Sequence, residues 1–131
     1  MPFPLQNPVA ASESDEQILL FNWAEVMSRT NPDLRLLHSI PNGGARNKAT
    51  AGRMKAEGVR SGVPDICLPV PCGGYHGLYI ELKVGKNKPS ENQKFWITEL
   101  NAKGYLALVC YGWIEAKNVI EAYLANKLIK K

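Results

Sequence analysis

One alternating segment, "LYIELKV" (78–84), constrains the fold more than any other part of the chain. Side chains alternate between the two faces of a strand, so four aliphatic residues share one face: Leu78, Ile80, Leu82 and Val84. Tyr79, Glu81 and Lys83 share the other face. Glu81 and Lys83 are therefore neighbours about 6.6 Å apart along the strand. A core strand with two charged residues on one face raises the question of what those charges do.

Further helices and strands are predicted on both sides of this segment. The first eleven residues, with three prolines, are typical of a flexible lead-in. A helix is expected over 12–29, with Ser14 as N-cap and Gln17 as its capping-box partner. "LRLLHSI" (34–40) predicts a strand that ends at Pro41, and 45–58 predicts a helix closed by Gly58.

The second half of the chain continues this alternation. "DICLPV" (65–70) is a strand joined to 78–84 by a glycine-rich hairpin. Ser90 and Gln93 form a capping box for a helix that Gly104 ends, "YLALVCY" (105–111) is a buried strand, and 114–131 is an amphipathic helix.

The element order predicts the fold class. It is α-β-α-β-β-α-β-α, and the helix that crosses between the third and fourth strands points to an α/β fold with a mixed central β-sheet flanked by helices. A chain of 131 residues is long enough for one core, so we expect a single domain over 12–131 after the lead-in, 1–11.

Charge and cysteine content limit the possible partners and the cellular compartment. The net charge of +4 favours a polyanionic partner. The beginning of the sequence has no signal-peptide pattern, and no apolar run is long enough to span a bilayer, so we expect a soluble protein without a membrane partner. Three cysteines without a C-x-x-C spacing indicate a reducing compartment, which is the cytoplasm of a bacterial or phage-infected cell if the source is prokaryotic. Cys67, Cys72 and His76 offer an alternative zinc site, but their spacing fits no paired-ligand zinc motif.

Three charged residues are predicted to converge on the sheet. Asp65 begins the strand next to Glu81 in the hairpin, immediately after Pro64, and Lys83 lies beyond Glu81. Two adjacent carboxylates repel unless they share a proton or hold a cation, and oxygen ligands favour Mg²⁺ or Mn²⁺. The ammonium of Lys83 can then orient water or a phosphate. The alternative is a solvated face with an ordinary Glu81–Lys83 ion pair.

These residues carry a family resemblance. "GVPD" followed by "IELK" resembles the PD-(D/E)XK nuclease superfamily, which has a restriction-endonuclease-like fold. "PNGGAR", "GVRSGVPDI", the segment 79–105 and the acidic first helix are together similar to the VRR-NUC (virus-type replication and repair nuclease) domain in a minimal form.

The resemblance implies roles for individual residues. Asp65, Glu81 and the Leu82 carbonyl would bind the metal, and Lys83 would be the catalytic lysine. Glu16 would support the metal directly or through water, and its alternative role is as a helix-dipole partner. Gln93 would lie near the metal or the substrate backbone, and the capping box competes for the same amide. Gly62 and Pro64 would shape the turn that delivers Asp65.

Candidate DNA contacts surround these positions. Asn42, Gly43 and Gly44 would form a loop that approaches a phosphate closely. Basic residues are expected to contact the phosphate backbone, namely Arg46, Lys48, Arg53, Lys55, Arg60, Lys86 and Lys88. The alternative for 46–60 is a solvated cationic helix face.

The resemblance implies a Mg²⁺- or Mn²⁺-dependent endonuclease that acts on DNA. The sequence carries no fingerprint of a base-reading module, which favours branched DNA such as four-way junctions. Two symmetric cuts in a junction need two active sites, so we expect a homodimer. The alternative is a nucleic-acid-binding module with the nuclease fold that is non-catalytic or needs a partner for activity.

Overall fold

A four-stranded mixed sheet organises the computed structural model, which describes residues 12–41 and 48–131. Its strands are β1 (His38–Ser39), β2 (Ile66–Leu68), β3 (Leu78–Lys83) and β4 (Leu106–Tyr111), side by side in chain order. The pairs β1–β2 and β2–β3 are antiparallel, and β3–β4 is parallel. The predicted mixed sheet is confirmed.

Within the described residues, four α-helices flank the sheet in the predicted order. They are α1 (Glu13–Met27), α2 (Lys48–Ala56), α3 (Glu91–Ala102) and α4 (Trp113–Leu124). A 3-10 helix, Pro32–Leu36, takes the first three residues of the segment 34–40 that was expected to be the first strand, and β1 is reduced to two residues. Pro32 favours this helical turn because its fixed φ suits the first position of a helix.

The two faces of β3 have different partners. Its aliphatic side chains join a fully buried core in which Leu20 of α1 and Ile120 of α4 take part. The opposite face carries Glu81 and is covered by α3, whose Gln93 reaches Glu81. The predicted alternation along β3 therefore separates an apolar core from a polar site.

The first helix begins two residues earlier than predicted, so the N-cap expectation for Ser14 was wrong. Ser12 is the N-cap: its Oγ accepts from the Asp15 N–H at 3.0 Å, and Asp15 Oδ2 accepts from the Ser12 N–H at 3.2 Å. Asp15 thus takes the place expected for Gln17. The aspartate at the third helical position accepts from the N-cap N–H and so closes the capping box. The capping box of Ser90 and Gln93 on α3 is confirmed.

The last helix stops well before the end of the chain, contrary to the prediction. It ends at Leu124, and Asn126 adopts a left-handed conformation with φ of 58°. The residues that follow lie against the hairpin between β2 and β3, where the Lys130 N–H donates to the Gly73 carbonyl at 2.7 Å. The end of the chain therefore makes a hydrogen bond to this hairpin, and the helix does not continue. The expected lead-in, 1–11, lies outside the described residues, and within those ranges no helix is long and apolar enough to cross a membrane.

Candidate active site

The side chain of Asp65 makes a hydrogen bond to β3 just beyond the point where the backbone pairing of β2 and β3 ends. The backbone pairing ends at Ile66 and Ile80, so the last three residues of β3 have no partner on the β2 side. There the Leu82 N–H donates to Asp65 Oδ2 at 2.9 Å. The carboxylate therefore occupies the position of a missing strand residue, beside Glu81.

A close contact with α3 fixes the turn that leads to Asp65. Gly62 has φ of +93°, and a Cβ there would lie 2.5 Å from the carbonyl carbon of Asn92. Asn92 Nδ2 also donates to Ser61 Oγ at 3.1 Å. Only glycine accommodates both the conformation and the approach, so this turn is anchored to the start of α3.

Glu81 is buried and only partly compensated. It is 1% exposed, Gln93 Nε2 donates to its Oε2 at 3.1 Å, and Lys83 Nζ lies 3.7 Å from the same oxygen. Its other oxygen, Oε1, is buried and has no hydrogen-bond partner among the described residues. Burial and then the adjacent Asp65 carboxyl raise the pKa of Glu81 to about 8, against the opposing effect of Lys83. The two carboxyls can form a hydrogen bond only if they share a proton.

Gln93 completes the capping box and also contacts Glu81, so the expected competition for its amide does not arise. Its Oε1 accepts from the Ser90 N–H at 2.8 Å and completes the capping box, while its Nε2 donates to Glu81. An amide has an acceptor end and a donor end, so one side chain serves the helix start and the carboxylate together.

Leu82 presents its carbonyl to the same edge as Asp65. The carbonyl of the next residue, Lys83, accepts from the Gly112 N–H on the β4 side at 2.9 Å. Successive strand residues alternate in direction, and the N–H and C=O of one residue point the same way. Because the Leu82 N–H reaches Asp65, its carbonyl also emerges on that edge.

The structure does not bring Glu16 to this site. Glu16 Oε1 accepts from the Trp113 N–H at 3.2 Å, at the start of α4, which is close to the helix-dipole alternative but on another helix. Glu13 lines the site instead, and its charge contributes to the raised pKa of Glu81. The missed signal is a second stripe, since Glu13 precedes the buried residue Leu20 by two helical turns.

An open cavity of about 510 Å³ joins these groups. Its lining residues come from α1, β1, β3, α3 and the turn before β2: Glu13, Ser14, Gln17, Ser39, Ile40, Pro41, Asp65, Glu81 and Gln93. Because this open cavity is lined by the carboxylates of Asp65 and Glu81, it could receive a hydrated cation and a phosphate.

The predicted DNA contacts divide into three groups. Arg53, Lys55, Arg60, Lys86 and Lys88 are all exposed. The loop with Lys86 and Lys88 is held near the cavity, since Asn87 Nδ2 donates to Glu13 Oε2 at 3.3 Å and the Tyr111 hydroxyl donates to the Asn87 carbonyl at 2.8 Å. Lys48 begins α2. Asn42, Gly43, Gly44 and Arg46 lie outside the described residues.

Comparison with known protein families shows which family the chain belongs to. The model of the VRR-NUC domain matches residues 8–113. The chain belongs to the VRR-NUC domain family. A solved structure described as a VRR_NUC domain protein is 28% identical, covers 92% of this chain and 94% of its own, and superposes with a TM-score of 0.76. Curated proteins gave no significant match.

The VRR-NUC assignment identifies a nuclease domain, and therefore a hydrolase family, with the fold expected from the sequence. Among residues 12–41 and 48–131, no group of three or more His, Cys, Asp and Glu side chains is arranged to hold a metal. This includes Cys67, Cys72 and His76. Any cation at Asp65 and Glu81 in this VRR-NUC domain would need further ligands from backbone, water or substrate.

Proposed function

We propose that this VRR-NUC domain is a Mg²⁺- or Mn²⁺-dependent endonuclease that cuts branched DNA. The observation that carries the proposal is the buried Glu81 beside the half-buried Asp65, with Lys83 Nζ 3.7 Å from Glu81. Burying a carboxylate destabilises the fold by roughly several kcal/mol unless a partner compensates it. A protein that only bound DNA would gain nothing from this arrangement, whereas a nuclease needs the carboxylates for its reaction.

The oxygen atoms at the site fit a hard divalent ion. Glu81 Oε1 is buried without a hydrogen-bond partner among the described residues, which leaves lone pairs for a cation. Asp65 and Glu81 would hold the ion, with the Leu82 carbonyl on the same edge. Mg²⁺ is commonly bound by one or two carboxylates with water and substrate phosphate, so two acids suffice. When bound, the ion supplies positive charge to the phosphate and makes water more acidic.

The remaining side chains would position the reactants. Lys83 is 8% exposed, so its ammonium is held beside Glu81 and can donate to a phosphate oxygen or to the attacking water. Gln93 fixes the orientation of Glu81 through a hydrogen bond, and the capping box fixes Gln93 in turn. Exposed lysines and arginines on α2 and on the loop at Lys86 would hold the DNA backbone.

A cleavage assay tests this function directly. Labelled four-way junctions, flaps, plain duplex and RNA would be incubated with Mg²⁺, Mn²⁺ or EDTA. We expect metal-dependent cutting with preference for branched DNA, and a loss of about 100- to 1000-fold for Asp65→Ala and for Lys83→Ala. Lys94→Ala is the matched control, because this exposed lysine on α3 pairs only with exposed Glu91 in the salt bridges of the described residues. Cleavage that survives both site substitutions would refute the assignment of the site.

The same experiment separates the enzyme from a binding module. Both site variants should still bind DNA, because the basic residues that contact phosphates lie outside the carboxylate pair. Binding by the wild type without cutting on any substrate would favour a non-catalytic or partner-dependent module. The homodimer expected for paired cuts would be measured by light scattering on the protein with a junction, and a monomer there would exclude it.

A further inference from the structure

A second groove opens beside the active-site cavity. Its volume is about 360 Å³, and it shares Ile40 and Pro41 with that cavity. The other apolar walls are Val59, Val63 and the half-buried indole of Trp96. We call these five residues, together with Arg60 at the rim, the Trp96 groove.

Two elements fix the position of the groove relative to the catalytic groups. Trp96 follows Gln93 by three residues on α3, so the two side chains are neighbours on one side of the helix. Gln93 donates to Glu81. The segment with Val59 and Val63 is attached to α3 through the contacts of Ser61 and Gly62 with Asn92. The walls are therefore set before any ligand arrives.

The chemistry of the groove favours a flat, neutral, aromatic ligand. An indole and aliphatic walls suit contact with a base, and such stacking depends little on the identity of the base. Arg60 supplies a donor at the rim, and exposed Glu57 supplies an acceptor. Glu57 offsets the positive charge of Arg60 and so weakens the attraction of the groove for a phosphate, whereas a nucleobase offers ring carbonyls to the arginine and amino groups to the glutamate.

We propose that the Trp96 groove binds one unpaired nucleobase of the DNA substrate, next to the phosphate at the active site. The inference rests on the proposed nuclease function. A base that is already unpaired, as at a branch point or bulge, enters such a groove at the lowest cost, because no base pair has to be opened. This subsite would explain a preference for branched over plain duplex DNA without any reading of sequence.

The test compares DNA that carries an unpaired base with the same DNA lacking that base. Binding of a duplex with a one-nucleotide bulge would be measured in EDTA, next to the same duplex with an abasic bulge, for Lys83→Ala and for that variant with Trp96→Ala or Trp96→Leu. We expect each Trp96 substitution to weaken binding of the base-containing duplex about tenfold and to leave the abasic duplex unchanged. Ile114→Ala is the control, since this apolar residue on α4 is 58% exposed and does not line the groove.

Two results would overturn the groove assignment. One is an equal loss on both duplexes in variants whose melting temperature is unchanged, and the other is equal affinity of the parent protein for both duplexes. Trp96→Leu keeps an apolar side chain, so that it guards against misfolding of Trp96→Ala. Since no cleavage is required, a base effect in a protein that cuts no DNA would remove only the nuclease proposal. Cutting without a base effect would remove only the groove.

Discussion

Glu81 shows how a single residue combines a cost to folding with a candidate function. The strand pattern places it on the face covered by α3, where it is buried with one oxygen that has no hydrogen-bond partner in the described residues. Gln93 and Lys83 compensate the other oxygen. The neighbouring side chains therefore fix the orientation of the carboxylate but compensate only one of its oxygens. A cation bound to the other oxygen would stabilise the folded state.

The raised pKa of Glu81 predicts how stability depends on pH. Its pKa is about 8 in the folded protein against an ordinary 4.5, so the folded state holds the proton more tightly than the unfolded state. The resulting stabilisation is complete below pH 4.5 and is lost as the pH rises through 8. In EDTA, the free energy of unfolding should fall over this range by at most about 1.4 kcal/mol per pH unit, relative to Glu81→Gln.

Urea unfolding of both proteins at pH 5, 6.5 and 8 would measure that difference. Subtracting the Glu81→Gln curve removes the contributions of titrating groups that do not interact with Glu81, and the remaining difference belongs to Glu81 together with its neighbour Asp65. A difference that is constant with pH would contradict the raised pKa. Adding Mg²⁺ at pH 8 should restore stability to the wild type and have little effect on Glu81→Gln.

Substitution of Gln93 separates its two roles. Gln93→Glu keeps the acceptor of the capping box but replaces the donor to Glu81 with a repelling carboxylate, whereas Gln93→Ala removes both. We expect both variants to lose about 10- to 100-fold in cleavage, as outer-shell changes at metal sites do. Only Gln93→Ala should also lose the capping contribution of about 1 kcal/mol. Full cleavage by Gln93→Glu would show that the donor end is unimportant.

At the scale of elements, the orientation of α1 determines which of its acidic side chains reaches the cavity. Glu13 and Glu16 lie three residues apart on this helix, but Glu13 lines the cavity and Glu16 accepts from the start of α4. We expect Glu13→Gln to lower cleavage and Glu16→Gln to leave it near the wild-type level, since a glutamine oxygen can still accept from the Trp113 N–H. A larger effect of Glu16→Gln in the cleavage assay would support the role implied by resemblance instead.

The turn before β2 is predicted to depend on one glycine. At Gly62 an added Cβ would meet Asn92 at 2.5 Å in a left-handed conformation, so Gly62→Ala should destabilise the protein by at least about 1–2 kcal/mol. Gly52, inside α2, has open space around it and is the matched control. Gly52→Ala should stabilise α2 by up to about 1 kcal/mol. Thermal unfolding of both variants would show opposite shifts, and equal shifts would mean that Gly62 is not constrained.

What the sequence could predict depended on how local the determining interactions are. The alternation in 78–84, the Ser90 capping box and the element order are local patterns, and all three hold. The start of α1, the shortness of β1 and the end of α4 depend on alternative caps, a helical turn and contacts with a distant hairpin. The choice of Glu13 over Glu16 likewise depends on how α1 sits against the sheet, which helical periodicity alone does not determine.

At the scale of the whole molecule, exposed positive side chains lie on two separate elements, and none of them lines the cavity that holds the carboxylates. Arg53 and Lys55 extend from α2, and Lys86 and Lys88 extend from the loop after β3 that Asn87 ties to Glu13. Such side chains would attract the DNA backbone, while the carboxylates in the cavity would repel it until a cation is bound. DNA binding and cleavage should therefore be separable by mutation.

The double variant Arg53→Ala/Lys55→Ala tests that separation. Because each phosphate contact contributes a slope of about −0.9 to the logarithm of affinity against the logarithm of salt concentration, its loss of two cations should flatten the dependence by about 2 units. Affinity for junctions should fall, while cleavage at saturating protein should stay near the wild-type rate, since neither residue lines the cavity. Lys117→Ala/Lys127→Ala removes the same charge from α4 and the segment after it and is the control. If the control flattened the salt dependence equally, only net charge, and not the α2 surface, would be guiding the DNA.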